Sequence, residues 1–227
     1  MDLLYPKTCC FCGKVSTTPL CDECAGKIEY ISEPRCKRCG KPVRYAQQEF
    51  CHDCEKNSFS YEQGKNIWLH KGVVRWSIYQ FKYHNRRLYG KFYAEEMYRL
   101  YGDTIKAWGS ELIIPVPLHR KRRRKRGYNQ AEIIARHLGR LSGIPVDVKC
   151  VRRVANTRPQ KELNDKERKK NLREAFRVAK VLGDIKNVLL IDDIYTTGNT
   201  LDSVARVLKE KGVKKVCFLT ISIGQGF

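Results

Sequence analysis

The segment that most constrains the fold comprises residues 188–200, where an apolar run, two aspartates and a short hydroxyl-rich loop follow one another. The run at residues 188–191 is typical of a strand buried on both faces within a parallel sheet. A helical pattern begins at Leu201. Strand, loop and helix in this order predict an α/β fold with the loop at the carboxyl edge of the sheet, where such sheets usually bind their ligands.

The loop itself has a composition suited to binding phosphate. Its single glycine permits a tight turn, so that backbone amides converge at the start of the helix. Asp192 and Asp193 should point to opposite sides of the strand, so at least one faces the cleft. A carboxylate there suits ribose hydroxyls, or Mg²⁺ held through water. A strand ending in an Asx turn before a capped helix is the alternative, but it requires neither the second aspartate nor so many hydroxyls. The loop residues are Thr196, Thr197, Gly198, Asn199 and Thr200.

Eight of the 11 cysteines form four Cys-x-x-Cys pairs in the first sixty residues. Two such pairs complete a tetrahedral four-thiolate zinc site, and four closed ligands make the site structural rather than catalytic. Two sites in chain order are the simplest interpretation, although the spacing also permits interleaving; disulfides are the alternative chemistry. Cys10 is expected to be a spare thiol. The predicted ligands are Cys9, Cys12, Cys21, Cys24, Cys36, Cys39, Cys51 and Cys54.

Charge and hydropathy restrict the partners and the compartment. Lys and Arg number 45 against 24 acidic residues, a net charge of +21. This excess predicts a polyanionic partner, nucleic acid first and an acidic membrane second. No apolar run approaches the ~18 residues of a transmembrane helix, and residues 1–7 lack the apolar core of a signal peptide. We therefore expect a cytoplasmic protein, with the inner face of the membrane as the alternative location; disulfides rarely persist in the cytoplasm.

Patterning along the rest of the chain predicts the remaining elements. Residues 55–64 lack periodicity and are predicted to link a small domain at 1–60 to an α/β domain at 61–227. In the first long helix the residues predicted to share a face are Val73, Trp76, Tyr79 or Gln80, and Tyr83. Its aromatic side chains are expected to pack in the core rather than stack with bases. Lys82 and Tyr83 are either solvated or in contact with the cleft. Strands are predicted at 67–70, 112–117, 146–154, 175–178 and 216–223, and helices at 73–83, 88–101, 131–141 and 201–208.

Seven consecutive basic residues follow the strand at 112–117, after Leu118 and His119. Such a run is usually a solvated loop, but seven adjacent like charges repel one another and are favourable only beside a polyanion. Phosphates of nucleic acid are the expected partner. The polar, basic segment at 155–171 is predicted to be a lid over the active site. The basic run is Arg120, Lys121, Arg122, Arg123, Arg124, Lys125 and Arg126.

Residues 188–200 resemble the signature of type I phosphoribosyltransferases, which bind 5-phosphoribosyl 1-pyrophosphate (PRPP). The whole chain resembles the ComF/ComFC (GntX-like) family of competence proteins, which combines a cysteine-rich ribbon with further motifs. The departure is that some members carry a single four-cysteine site, whereas this chain has eight paired cysteines. The matching motifs here are Pro115-Val116-Pro117-Leu118, Arg126-Gly127-Tyr128-Asn129-Gln130, Thr157 with Gln160 and Leu163, Arg168 with Asn171, and the PRPP signature.

The resemblance implies a type I phosphoribosyltransferase-like parallel sheet with flanking helices, preceded by a small zinc ribbon. It implies that single-stranded DNA is handled during natural transformation, alongside a DNA-uptake helicase. It also implies a PRPP site in which Leu118, His119 and Arg120 bind the diphosphate with Mg²⁺, Asp192 and Asp193 bind the ribose, and residues 196–200 bind the 5′-phosphate. In the alternative, an active transferase, Asp192, Asp193 and Lys161 are the catalytic candidates, with Lys161 or Arg158 stabilising the departing pyrophosphate.

Overall fold

A computed structural model describes residues 7–154, 175–180 and 182–224. Its main sheet has four strands, all parallel, in the order β1-β6-β5-β2. The apolar run predicted to be a buried strand forms β5, paired on both sides, and Val188 to Ile191 are almost fully buried. The strand bounds are β1 Gln63–Leu69, β2 Leu112–Pro115, β3 Val151–Arg153, β4 Phe176–Val178, β5 Asn187–Tyr195 and β6 Lys215–Ile223, with β3 and β4 forming a separate antiparallel pair.

Helices cover the sheet on both faces. Their ends follow local sequence signals: the side chain of Asn129 accepts a hydrogen bond from the Ala131 amide at the start of α6, which ends at Gly143 with φ 75°. The helix bounds are α1 Asp22–Ala25, α2 His52–Lys56, α3 Gly72–Tyr83, α4 Tyr89–Ala107, α5 Arg120–Arg126, α6 Gln130–Ser142 and α7 Asn199–Lys209. No helix among the described residues is both long enough and apolar enough to cross a membrane.

The cysteine-rich segment packs directly on the sheet. The ring of Phe11 meets the buried Trp68 of β1 edge-on, with centroids 5.3 Å apart. Backbone bonds join Ile31 N to Ile67 O at 3.0 Å and Leu69 N to Glu29 O at 3.3 Å. These bonds cover the outer edge of β1, which would otherwise be an unpaired sheet edge. The domain boundary at residue 60 stays a prediction.

Several predicted elements differ from the structure. The predicted linker at 55–64 is wrong at both ends, because α2 extends to Lys56 and β1 begins at Gln63. The strand expected at 146–154 is confined to β3, while Val146 makes only an isolated bridge to Ile113. The basic run is a short helix, α5, rather than a loop. Arg and Lys are good helix formers, and His119 caps the helix by accepting from the Lys121 amide at 3.3 Å.

The predicted buried face of α3 is also wrong. The residues that pack in the core are Val74, Ser77, Ile78 and Phe81. Trp76, Tyr79 and Tyr83 instead lie on the opposite side and are 38%, 52% and 48% exposed. The polar member of the buried set is compensated, since the Ser77 hydroxyl lies 2.5 Å from the hydroxyl of Tyr93.

Candidate phosphate-binding site and metal centres

The loop after β5 forms a small cavity at the carboxyl edge of the sheet, as the sequence predicts. Gly198 has φ 78° and precedes α7, so its backbone takes the left-handed conformation that favours glycine. A Cβ at this position would lie 2.5 Å from the Tyr195 hydroxyl oxygen and 2.7 Å from that of Tyr61. The cavity is lined by Asp192, Ile194, Tyr195, Thr196, Gly198, Thr200 and Leu201.

Two buried tyrosines support the loop from below. The hydroxyls of Tyr61 and Tyr195 lie 2.8 Å apart, and both rings pack on Phe218. Beside them, the Ser60 amide donates to the Asp202 carboxylate in the first turn of α7 at 2.6 Å. The segment just before β1 therefore fixes the start of α7. The sequence alone does not single out Tyr61, because this residue falls in the segment predicted to be a linker.

The two aspartates point to different neighbours, as the alternation along a strand predicts. Asp192 lines the cavity. The Asp193 carboxylate instead pairs with the Lys82 ammonium of α3 at 3.0 Å, and both side chains are about 15% exposed. Lys82 is therefore paired with Asp193 rather than solvated, and its contact with the cleft stays a prediction. Tyr83 is exposed and accepts a hydrogen bond from Arg126 at 3.0 Å.

Burial and charge set the titration of this edge. Burial, reinforced by the charge of Asp193, raises the pKa of Asp192 to about 7, although the Asp193 amide, Lys82 and Arg153 oppose the shift. Burial and then the charges of Lys82 and Arg75 lower the pKa of His70, whose Nδ1 lies 3.0 Å from the Ser222 hydroxyl. An Asp192 carboxyl that titrates near neutrality can both donate to and accept from a sugar hydroxyl.

Arg153 of β3 was not singled out from the sequence, and no local signal marks it. Burial and then the charge of Arg122 in α5 lower the pKa of Arg153, and the charge of Asp192 partly opposes this shift. Arg153 therefore interacts electrostatically with both the basic helix and the cavity carboxylate. His119 is influenced in the same way: burial and then the charge of Arg153 lower its pKa. Helix α5 follows β2 and the cavity follows β5, and because these strands are parallel neighbours both features lie at one edge of the sheet.

Of the predicted PRPP ligands, all except Lys161 lie in the described part of the chain. Leu118 and His119 are partly buried after β2, and Arg120 is exposed at the start of α5. Thr196 and Thr197 are both exposed, and of these two Thr196 lines the cavity. The loop can supply backbone donors at a helix start, and Asp192 can supply oxygen atoms, so the residues fit a phosphorylated sugar with Mg²⁺. Lys161, Arg158 and the motif residues Thr157, Gln160, Leu163, Arg168 and Asn171 lie outside the described residues.

The cysteine pairs assemble into two four-thiolate groups in chain order. Cys9, Cys12, Cys21 and Cys24 form one group, and the other consists of Cys36, Cys39, Cys51 and Cys54; within each group all sulfur atoms lie within 4.8 Å of one another. All 11 cysteines are free thiols, so the disulfide alternative is wrong. Cys10 belongs to neither group.

Sulfur spacing shows that zinc fits both groups. The Sγ atoms of Cys12 and Cys21 are 3.8 Å apart, and those of Cys39 and Cys51 are 3.6 Å apart. Tetrahedral Zn–S bonds of ~2.3 Å give an edge of ~3.8 Å. The second group is tied to the sheet, since Asn66 Nδ2 donates to the Cys39 carbonyl at 2.8 Å. Both groups are consistent with structural zinc.

Comparison with known protein families gives matches to two separate parts of the chain. The Double zinc ribbon domain family matches residues 1–55, and the Phosphoribosyl transferase domain family matches residues 124–222. These matches confirm the predicted fold class: a phosphoribosyltransferase-like parallel sheet preceded by four-cysteine zinc ribbons.

Three curated relatives are similar over parts of their length. Competence protein F of Haemophilus influenzae is 35% identical over 144 residues, covering 61% of this chain and 63% of that protein. DNA utilization protein YhgH of Escherichia coli K12 is 33% identical over 104 residues, covering 46% and 45%. Competence protein ComFC of Bacillus subtilis is 28% identical over 168 residues, covering 69% and 62%. The chain therefore spans less than two thirds of the length of each relative.

Proposed function

We propose that this chain, a homologue of Competence protein F and ComFC at 28–35% identity, handles single-stranded DNA during natural transformation. The proposal includes a PRPP site with Mg²⁺ at residues 196–200 and a position in the cytoplasm or at the inner face of the membrane, beside a DNA-uptake helicase. The observation that carries it is the exposed basic helix α5 after β2, at the same sheet edge as the loop after the parallel neighbour β5.

The charge of α5 is poorly compensated within the protein. Its residues 120–125 are exposed. Within the described ranges, Arg123 is the member of α5 that lies within ion-pair distance of a carboxylate, 3.4 Å from Glu132. Adjacent uncompensated cations raise the free energy of the isolated protein, and a phosphate backbone relieves that repulsion. Helix α5 carries more cations than one diphosphate needs, so a polymer of phosphates is the better match.

Salt dependence of DNA binding tests this proposal. Replacing Arg120, Arg122 and Arg124 with glutamine keeps good helix formers in α5 while removing three charges. We expect weaker binding of a labelled single-stranded oligonucleotide, and a log–log salt slope reduced by ~0.7 for each phosphate that the variant no longer neutralises. The matched control also introduces glutamine, at three exposed lysines near the amino-terminal edge of the sheet: Lys186, Lys211 and Lys214. If both triple variants change the slope equally, α5 is not the DNA site.

PRPP binding follows from the loop geometry on the same proposal. The α7 amides and Thr196–Thr200 hydroxyls would hold the 5′-phosphate, while Asp192 would bind a ribose hydroxyl from the cavity wall. Asp193, already paired with Lys82, would act chiefly by keeping that lysine next to the site. His119 and Arg120 follow β2 and would hold the diphosphate, with Mg²⁺ neutralising the remaining charge.

Transfer of phosphoribose from PRPP to an acceptor is the second candidate function. The observation that favours it is the Asp192 carboxyl in the cavity wall; burial raises its pKa to about 7, and a group titrating near neutrality suits acid–base chemistry. A nucleophile would form a bond to C1 of the ribose as the C1–O bond to pyrophosphate breaks. Release of pyrophosphate from PRPP with Mg²⁺ and a panel of acceptors tests it. Background rates with every acceptor, from protein that binds PRPP, would leave binding as the function.

A further inference from the structure

Helix α3 exposes three aromatic side chains on one face, which we call the aromatic stripe: Trp76, Tyr79 and Tyr83. They are 38%, 52% and 48% exposed. The opposite face of the helix already buries its own apolar residues, so the stripe is not needed to close the core. Large exposed aromatic surface is uncommon on a soluble protein and marks interaction sites.

The rings of the stripe are close enough to act together. The centroids of Tyr79 and Tyr83 are 5.0 Å apart with an interplanar angle of 47°, and His84 lies 5.4 Å from Tyr79. At the other end, the Trp76 ring lies beside the first cysteine knuckle, 3.2 Å from where a Cβ on Gly13 would be. Seven residues of helix separate Trp76 from Tyr83, a rise of ~10 Å, which is about three stacked nucleotides at ~3.4 Å each.

The stripe is continuous with the basic helix. The guanidinium carbon of Arg126 lies 4.8 Å from the centroid of the Tyr83 ring, and its Nη2 donates to the Tyr83 hydroxyl at 3.0 Å. Arg126 is the last residue of α5. A chain lying along α5 would therefore reach the aromatic rings within one side chain's length.

The segments that carry the stripe and α5 are rich in cations, some of which are paired, among them Lys71 with Glu29 at 2.6 Å and Lys82 with Asp193 at 3.0 Å. Residues 63–94, which contain all of α3, include no aspartate or glutamate, and neither do residues 112–131, which contain α5. Arg75, Arg86 and Arg87 are exposed beside or just after the stripe. This complementarity favours a polyanion over a neutral or cationic partner.

We propose that the aromatic stripe is a base-stacking platform for single-stranded DNA whose phosphates are held by α5. This inference rests on the proposed function, because it assigns the bases of the same strand to a second surface. Unpaired bases stack on aromatic rings with little preference for sequence, while a cationic groove follows the backbone. Paired bases in a duplex present no free face, so the stripe selects single strands.

Trp76 provides a direct spectroscopic readout. Of the three tryptophans, Trp68 and Trp108 are buried and Trp76 is exposed. We expect stacking of a base to quench the fluorescence of Trp76 when oligothymidine is added. An abasic strand of the same length carries the same phosphates without bases, so it should bind α5 and leave the fluorescence nearly unchanged.

Variants separate stacking from charge. Tyr79→Ala removes a ring whose described contacts are with Tyr83 and His84, and it leaves Arg126 in place. We expect affinity for oligothymidine to fall by about tenfold, with the salt slope unchanged because every cation is retained. Tyr79→Phe keeps the ring and should keep the affinity. Tyr45→Ala is the matched control, since Tyr45 is 67% exposed on the second ribbon.

The outcomes distinguish this inference from the proposed function. Absence of any DNA binding by the folded wild type would remove both. A second outcome would overturn the stacking platform alone. In it the α5 variant weakens DNA binding, whereas Tyr79→Ala binds DNA as well as Tyr79→Phe and Tyr45→Ala do. Loss of self-association or of binding to anionic vesicles in Tyr79→Ala, with DNA affinity intact, would also overturn it by assigning the stripe to another partner.

Discussion

Replacing Lys82 with methionine should destabilise the protein and shift the titration of the cavity carboxyl. Lys82 is the cation that pairs with Asp193, at 3.0 Å between Nζ and Oδ2, and both side chains are about 15% exposed. Methionine fills a similar volume without charge. The substitution therefore leaves Asp193 as a partly buried carboxylate beside Asp192, with no partner at that distance.

The geometry sets the size of the effect. Two unit charges 3.0 Å apart attract by about 5 kcal/mol at an effective dielectric constant of ~20, before the cost of desolvating both groups is subtracted. Removing one partner of a fully buried pair costs ~3–5 kcal/mol. Because this pair keeps some solvent contact, we expect Lys82→Met to lower the free energy of unfolding by about 2–3 kcal/mol, or ~4–12 °C in Tm for a chain of this size.

A double-mutant cycle with Asp193→Asn checks the reasoning. Denaturant unfolding of the zinc-loaded protein should give a coupling energy of ~1–2 kcal/mol between the two positions. The pKa of Asp192, followed by carboxyl NMR, should rise in Lys82→Met because the lysine charge now lowers it, and fall in Asp193→Asn because that carboxylate raises it. Zero coupling energy together with an unmoved Asp192 titration in both variants would refute the ion pair as a feature of the site.

Three further predictions concern the loop, the acidic cavity and the ribbons. Gly198→Ala should destabilise the protein by ~1–3 kcal/mol and abolish phosphate binding, because its Cβ would meet two tyrosine hydroxyls. The control Gly183→Ala, also at positive φ but with nothing within 4 Å of its Cβ, should retain binding. Phosphate binding by Gly198→Ala would contradict the loop geometry. The pKa of Asp192 in the folded protein is about 7, above its unfolded value, so its contribution to stability is present below pH ~4 and is lost as the pH rises through 7. Asp192→Asn should flatten this decline of the unfolding free energy with pH, measured by urea unfolding. An unchanged pH profile would show that Asp192 is not desolvated. Cys12→Ser and Cys39→Ser should each reduce zinc content, measured by a chromogenic chelator after denaturation, from about two ions per chain to about one; retention of both ions would contradict the ligand sets.

The parts that the sequence predicts well are those specified locally. The strand, aspartates, loop and helix at residues 188–209 lie within one short segment, and each step has its own residue signal. The cysteine pairs are equally local, but spacing alone left sequential and interleaved pairing open. The positions of the sulfur atoms resolve it, because the four sulfurs of each sequential group lie within 4.8 Å of one another.

The predictions that fail concern residues whose burial or pairing depends on contacts between segments far apart in the sequence. Periodicity identifies α3 but not its buried side, because the two opposite sides of this helix are both largely apolar. The true core stripe contains Ser77, whose polarity is compensated by Tyr93 sixteen residues later. The pairing of Lys82 with Asp193 and the influence of Arg153 on Asp192 join segments far apart in sequence. Tyr61 likewise gains its role only when the chain brings it under the loop.

Titration calorimetry with PRPP and Mg²⁺ tests the central claim most directly, because that claim places a sugar phosphate on the loop after β5. We expect a single binding event in the wild type, weakened in Asp192→Asn, abolished in Gly198→Ala and unchanged in Lys211→Gln, which lies at the opposite sheet edge. Folded, zinc-loaded wild-type protein that gives no heat with PRPP or any other pentose phosphate would contradict the claim.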